Sequence, residues 1–139
     1  MDSKIYLIVL VAVTLLTACN PEKDYYLSIK NDTDDTLSFF FNADTNSTTN
    51  IVPSESIDFY QFVGDPKYVD KKDYHLKNAI DYDFRSIDIC KNDSCVIHWS
   101  GRAEYKGASE HNFYNLDSWK TIEGNSANKY QFSIMETDY

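Results

Sequence analysis

The stretch Tyr25-Tyr26-Leu27-Ser28-Ile29-Lys30 alternates residues that favour burial with residues that favour solvent. Tyr25, Leu27 and Ile29 share one face of an extended chain, and a period of two is typical of a half-buried β-strand. Residues 31–35, Asn-Asp-Thr-Asp-Asp, follow at once and are types whose side chains bond their own backbone in turns. The pattern predicts a strand that ends in a hairpin turn.

The carboxylates of residues 31–35 are also a ligand type that calcium prefers. The glycine and the distant glutamate of an EF-hand loop are absent here. We therefore interpret residues 31–35 as a turn and predict no metal site.

The same alternation recurs at residues 36–41 and 129–135, and residues 56–63 form another β-rich run. Residues 84–90 and 95–99 form a further pair of predicted strands. Turn residues separate these runs about every ten positions, as in all-β domains. Residues 67–83 are charged and carry apolar residues near helical spacing. We predict one domain over residues 25–139, mainly β. Its predicted fold is a β-sandwich, immunoglobulin-like or related, of about seven or eight strands with one short helical excursion.

The chain opens with an apolar run over residues 5–16 behind Lys4. This run is shorter than the about 20 residues of a membrane-spanning helix, so it predicts a cleaved secretory signal. It ends in Leu16-Thr17-Ala18-Cys19, which resembles the lipobox of bacterial lipoproteins. The resemblance implies a signal peptide over residues 1–18, lipid on Cys19, and a tether over residues 19–24.

Three pieces together resemble small lipoproteins of the Bacteroidetes: the lipobox, residues 29–37, and residues 117–120 with 130–134. The resemblance implies a β domain held to the membrane by its N-terminal lipid. It places the protein in the bacterial cell envelope, at the outer membrane, with the periplasmic or surface face left open. Asp35-Thr36-Leu37 also resembles the O-glycosylation triplet of that phylum, with Thr36 as the acceptor.

Lipidation of Cys19 leaves Cys90 and Cys95 as a pair. In an exported protein such a pair is more often a disulfide than a metal site, and two thiols fall short of four zinc ligands. If the two cysteines lie opposite each other, strict alternation puts Ile97 on the face opposite Ile89. Either a bulge shifts the register or both faces are covered.

The formal net charge of −9 disfavours nucleic acid as a partner. It also keeps an anchored domain soluble, and it suits a basic protein partner. Sequence motifs for catalysis are lacking: there is no Gly-x-Ser-x-Gly elbow and no glycine-rich phosphate loop, and the three histidines are far apart in the chain. We predict no enzyme activity and no cofactor.

Aromatic residues make up 15% of the chain, and some fall outside the phase of the strands. The candidates for contact with a glycan or a basic protein are Trp99, Tyr105, Tyr114 and Trp119. The alternative is that these rings fill the core of a small sandwich.

Residues 99–107 resemble the loop motif of lipoprotein lysozyme inhibitors, although the cysteine pattern of those proteins is not matched. A non-catalytic binding module is thus the first hypothesis. The alternatives are an inhibitor or immunity-type protein that binds a basic enzyme or toxin, and a hydrolase of envelope or dietary polymers.

The lipobox generates the first testable prediction. Labelled fatty acid should enter the wild-type protein, and Cys19→Ser should abolish labelling and release the protein from membranes, because the acylated thiol is then missing. A serine variant that still labels and stays with membranes would contradict the lipoprotein prediction.

Overall fold

The computed structural model describes residues 23–42, 48–64, 72–124 and 127–139. The signal peptide, Cys19 and most of the tether lie outside the described residues. Within those ranges eight strands form two four-stranded sheets, with order β4-β1-β8-β7 in the first sheet and β3-β2-β5-β6 in the second. The strands are β1 (Lys23–Asp32), β2 (Leu37–Phe41), β3 (Thr49–Ile51), β4 (Ser56–Gly64), β5 (Ser86–Lys91), β6 (Ser94–Ser100), β7 (Trp119–Glu123) and β8 (Ala127–Met135).

One α-helix, α1 (Lys72–Asp83), and two short 3-10 helices, Leu116–Ser118 and Glu136–Asp138, complete the described structure. The predicted mainly β sandwich with one short helix is confirmed. In the described part of the chain, no helix is both long enough and apolar enough to cross a membrane.

Strand β1 occupies the middle of the first sheet, antiparallel to β4 and parallel to β8. Tyr25, Leu27 and Ile29 are buried, as their alternation predicts. The strand begins at Lys23, two residues before the predicted domain boundary, because Lys23 and Asp24 already pair with β4.

The hairpin predicted at residues 31–35 is wrong, because β1 and β2 lie in different sheets. Both edges of β1 are already occupied by β4 and β8, so β2 has no edge of β1 to pair with. The turn instead crosses between the sheets, and the buried amide of Asn31 holds it. This amide donates to the carbonyl of Asp35 at 2.7 Å and of Ile51 at 2.9 Å, and it accepts from the backbone N–H and hydroxyl of Thr33.

Helix α1 carries the chain from the first sheet to the second, and it confirms the helix predicted within residues 67–83. Leu76, Ala79 and Ile80 share its buried face. The helix ends at Asp83, where the side chain of Asn42 donates to the Asp83 carbonyl at 2.7 Å and accepts from the backbone N–H of Arg85 at 2.6 Å. Val69, part of the predicted helical pattern, lies outside the described residues.

Strands β5 and β6 form the predicted hairpin, in which Cys90 pairs with Cys95 and the sulfur atoms lie at disulfide distance. The register shifts between Ile89 and Cys90, so that Ile89 faces Ile97 and Val96 is the extra residue. Of the two alternatives for this hairpin, the bulge is therefore the one observed.

Strands β7 and β8 form the predicted C-terminal hairpin, and Tyr130, Phe132 and Ile134 lie on its buried face. Phe113 packs edge-on against Phe132, with ring centroids 5.9 Å apart, and against Trp119 at 5.1 Å. Packed aromatic rings thus form part of the core between the two sheets.

Asn31 gives a prediction about the crossing turn. Asn31→Ala should lower the free energy of unfolding by about 3 kcal/mol, because buried partners of the amide lose their hydrogen bonds. Asn50→Ala removes an exposed amide that accepts from Ser38, and it should change stability by less than about 1 kcal/mol. Urea unfolding of both variants measures the difference, and equal effects would show that the buried amide does not hold the crossing.

Candidate functional site

Two of the four aromatic residues predicted to bind a ligand belong to the core. Tyr114 is 1% exposed and Trp119 is 8% exposed. The Trp119 indole donates to the carbonyl of Phe113 at 2.8 Å, and the Tyr114 hydroxyl donates to the carbonyl of Phe84 at 3.2 Å. Burial also raises the pKa of Tyr114. These two residues are therefore corrected from candidate binding residues to core residues, because their polar tips are satisfied by buried carbonyls.

Trp99 is partly buried and packs edge-on against Phe132, with ring centroids 5.5 Å apart. Tyr105 is 60% exposed in the loop after β6 and is accessible to a partner. The four predicted residues thus do not form one exposed surface.

A cleft of about 340 Å³ lies between β4 and α1, and it is lined mainly by aromatic side chains. Strand β4 contributes Tyr60, Phe62 and Val63. Helix α1 contributes Tyr74 and Tyr82, among others. A concave site with aromatic walls and a few polar groups is the usual form of a small-ligand site.

The β4 wall depends on a bulge. Leu27 pairs with Tyr60 and Ser28 pairs with Asp58, so Phe59 is an extra residue in β4. Strict alternation would put Phe59 and Tyr60 on opposite faces of the sheet, whereas the bulge lets both turn inward. Phe59 packs against Phe41 in the core at 4.9 Å, and Tyr60 lines the cleft.

The floor of the cleft is a set of packed rings. His75 is buried, and its ring lies 4.8 Å from Tyr25 and 5.6 Å from Tyr74 between centroids. Tyr25 stacks on Phe62 at 5.4 Å. Because these rings come from β1, β4 and α1, the floor is fixed by the sheet and the helix together.

Polar groups stand at the cleft rim. The Tyr60 hydroxyl donates to the carboxylate of Asp83, the last residue of α1. Burial, and next the hydrogen bond to Asp83, raise the pKa of Tyr60 to about 12. Tyr60 therefore stays a neutral phenol at physiological pH. Asn78 also lines the cleft, so an amide and a carboxylate accompany the rings.

A second cleft of about 330 Å³ lies beside the first and is lined by Asn78, Asp81, Tyr82 and Arg102. Tyr82 is 80% exposed and borders both clefts. Asp81 is already engaged, because it pairs with Lys77 and accepts from the backbone N–H of Ala103 at 2.7 Å.

The histidines occupy three separate environments. His98 contacts Asp88 at 2.5 Å, His111 contacts Asp138 at 2.7 Å, and His75 lies among rings in the cleft floor. Within the described ranges, no group of three or more His, Cys, Asp or Glu side chains is arranged to hold a metal ion.

Sequence reasoning missed the cleft between β4 and α1. A signal was present, because Tyr74, Asn78 and Tyr82 recur at intervals of four on one side of α1. That spacing is weak, since the helix is short and charged, and the β4 bulge at Phe59 has no marker residue.

No protein-family model matches the chain, and neither does any curated protein or solved structure. Function therefore rests on the chemistry of the two clefts.

The pKa of Tyr60 gives a prediction about alkaline stability. The folded-state pKa of about 12 lies above the value of about 10 in an unfolded chain. The folded protein holds this proton more tightly than the unfolded chain does. The contribution of protonated Tyr60 to the free energy of unfolding is therefore complete below pH 10 and is lost as pH rises from 10 to 12. Tyr60→Phe should therefore flatten the fall in the free energy of unfolding across this window.

Urea titrations at a series of pH values from 8 to 12 measure that slope. Tyr82→Phe removes an exposed hydroxyl and is the matched control, which should keep the wild-type slope. A Tyr60→Phe slope equal to the wild-type slope would contradict the burial of this phenol.

Proposed function

We propose that the protein is a lipid-anchored, non-catalytic binding module of the bacterial cell envelope, and that it binds a glycan between β4 and α1. The observation that supports this proposal is the tyrosine-walled cleft, which is concave and carries hydrogen-bonding groups at its rim. Its volume of about 340 Å³ is at the lower end for small-ligand sites, and it fits one or two sugar rings.

The cleft matches the chemistry of a sugar. A pyranose has an apolar face of C–H bonds and a rim of hydroxyls. Tyr74 and Tyr82 offer flat, exposed rings for that face. The Asn78 amide offers both a donor and an acceptor for the hydroxyls.

A basic protein partner fits these clefts less well. The carboxylates there already have partners, since Asp81 pairs with Lys77 and Asp83 accepts from Tyr60. The net charge of −9 therefore does not reach these clefts as carboxylates that await a basic partner. Binding at the cleft should accordingly depend little on salt.

The anchor also favours a narrow ligand. Lys23 and Asp24 at the start of β1 pair with Gly64 and Val63, so the first described residues lie beside the cleft. Only four residue steps separate Lys23 from Cys19, a reach of at most about 14 Å. With lipid on Cys19, the cleft stands close to the membrane, where a polymer chain enters more easily than a folded protein.

The glycan proposal predicts that exposed tyrosines of the cleft contribute to affinity. Tyr74→Ala and Tyr82→Ala should each weaken binding about five- to tenfold, because each removes one stacking ring. A glycan array identifies the ligand for the mature chain carrying Cys19→Ser, and calorimetry measures the variants.

Tyr105→Ala is the matched control, because Tyr105 is an exposed tyrosine that does not line the cleft. It should leave the affinity unchanged, and all three variants should keep the wild-type melting temperature within a few degrees. Failure of every glycan to bind, or turnover of a bound glycan by the purified protein, would overturn the proposal.

A further inference from the structure

We infer that the ligand extends across Tyr82 into the second cleft and carries a sugar carboxylate that binds the guanidinium of Arg102. This inference rests on the proposed glycan-binding function and specifies its ligand class, an oligosaccharide that contains a uronic acid. The two clefts share Asn78 and Tyr82, so a chain of sugars passes from one to the other without leaving the protein surface.

Arg102 is the cationic group of the second cleft. Its side chain is exposed and makes no hydrogen bond or ion pair with the residues that the structure describes. Asp81 lines the same cleft, but Lys77 and the Ala103 N–H already engage its two carboxylate oxygens. Arg102 thus lines the cleft, and its guanidinium donors have no partner among the described residues.

The backbone around Arg102 is held against α1. The next residue, Ala103, is buried and donates its N–H to Asp81 at 2.7 Å, while its carbonyl accepts from the Lys77 ammonium at 2.8 Å. Gly101 precedes Arg102 with a φ of +141°, a conformation that other residues rarely adopt. The chain therefore leaves β6 by a defined turn that brings Arg102 to the helix, and preorganisation of this kind reduces the entropy lost on binding.

The chemistry of the cleft selects a carboxylate. The planar guanidinium fork of Arg102 matches a carboxylate through two parallel hydrogen bonds. A densely charged polyanion is disfavoured, because the carboxylates of Asp81 and Asp83 border the same path. A chain that carries one uronic acid among neutral sugars, which stack on the tyrosines, meets both conditions.

The test compares each ligand with a free carboxylate to the same ligand with that carboxylate methylated. The full-length chain, purified from membranes in detergent, is titrated by calorimetry with trisaccharides that each contain one galacturonic or one glucuronic acid among neutral sugars, and with their uncharged methyl esters. At least one acid should bind about tenfold more tightly than its ester, the value expected for a charge-assisted hydrogen-bonded pair. Arg102→Gln should remove this preference, and Arg102→Lys should restore part of it.

Two further variants separate the outcomes. Tyr82→Ala should weaken the acid and the ester alike, because the ring stacks on both. Arg85→Gln, an exposed arginine that lines neither cleft, should preserve the tenfold preference.

Equal binding of acid and ester, or an acid preference that survives Arg102→Gln, would overturn the inference. If a neutral glycan binds with the Tyr74 and Tyr82 dependence while both acids fail, the inference falls and the proposed function stands. If no glycan binds at all, both fall.

Discussion

The parallel ladder between β1 and β8 is the interaction on which the rest of the structure depends. It runs from Asp24 opposite Ala127 to Asp32 opposite Met135, so it joins the first and last described strands. Because the partners are about a hundred residues apart in sequence, their pairing closes the longest loop in the fold and carries a large entropic cost. The buried side chains of both strands offset that cost, since Leu27, Ile29, Phe132 and Ile134 are all removed from water.

The position of β1 then determines the cleft. Its second edge is free for β4, and the Phe59 bulge turns the following residues of β4 toward α1. Tyr25 of β1 stacks on Phe62 and contacts His75 of the helix, so one core side chain supports both walls. The site is a consequence of sheet pairing, and a change in the β1–β4 register would move Tyr60 to the opposite face.

Local sequence patterns predicted which residues form strands better than they predicted which strands pair with each other. The alternation of Leu27 with Ile29 and of Phe132 with Ile134 predicted buried strands, because burial on one face needs only a period of two. Turn residues at 31–35 predicted that the chain changes direction, but they did not predict which sheet the next strand joins. The same residue types form the turn whether the next strand pairs with the previous one or crosses to another sheet. The parity conflict at Cys90 and Cys95 left a bulge as one alternative, whereas the Phe59 bulge gave no such conflict.

The candidate site was harder to predict because exposure is a tertiary property. Tyr114 and Trp119 looked out of phase, yet they are buried by the loop that the Asn115 amide organises through hydrogen bonds to the backbone of Lys106, Gly107 and Asp117. Tyr74 and Tyr82 lie in a charged segment, and only the packing of Leu76 and Ile80 decides that these tyrosines face outward.

The two clefts draw on both sheets, and this links binding to stability. Tyr60 belongs to β4 of the first sheet, Tyr82 to the helix that joins the sheets, and Arg102 to the loop that leaves β6 of the second. A ligand that spans Tyr82 and touches Arg102 contacts elements that separate on unfolding, so it binds only the folded state. Its binding must therefore raise the free energy of unfolding, by about 2.7 kcal/mol when the free ligand is a hundred times its Kd. A ligand confined to the first cleft contacts only β4 and α1, and it would stabilise the attachment of the helix to the first sheet without restraining the loop after β6.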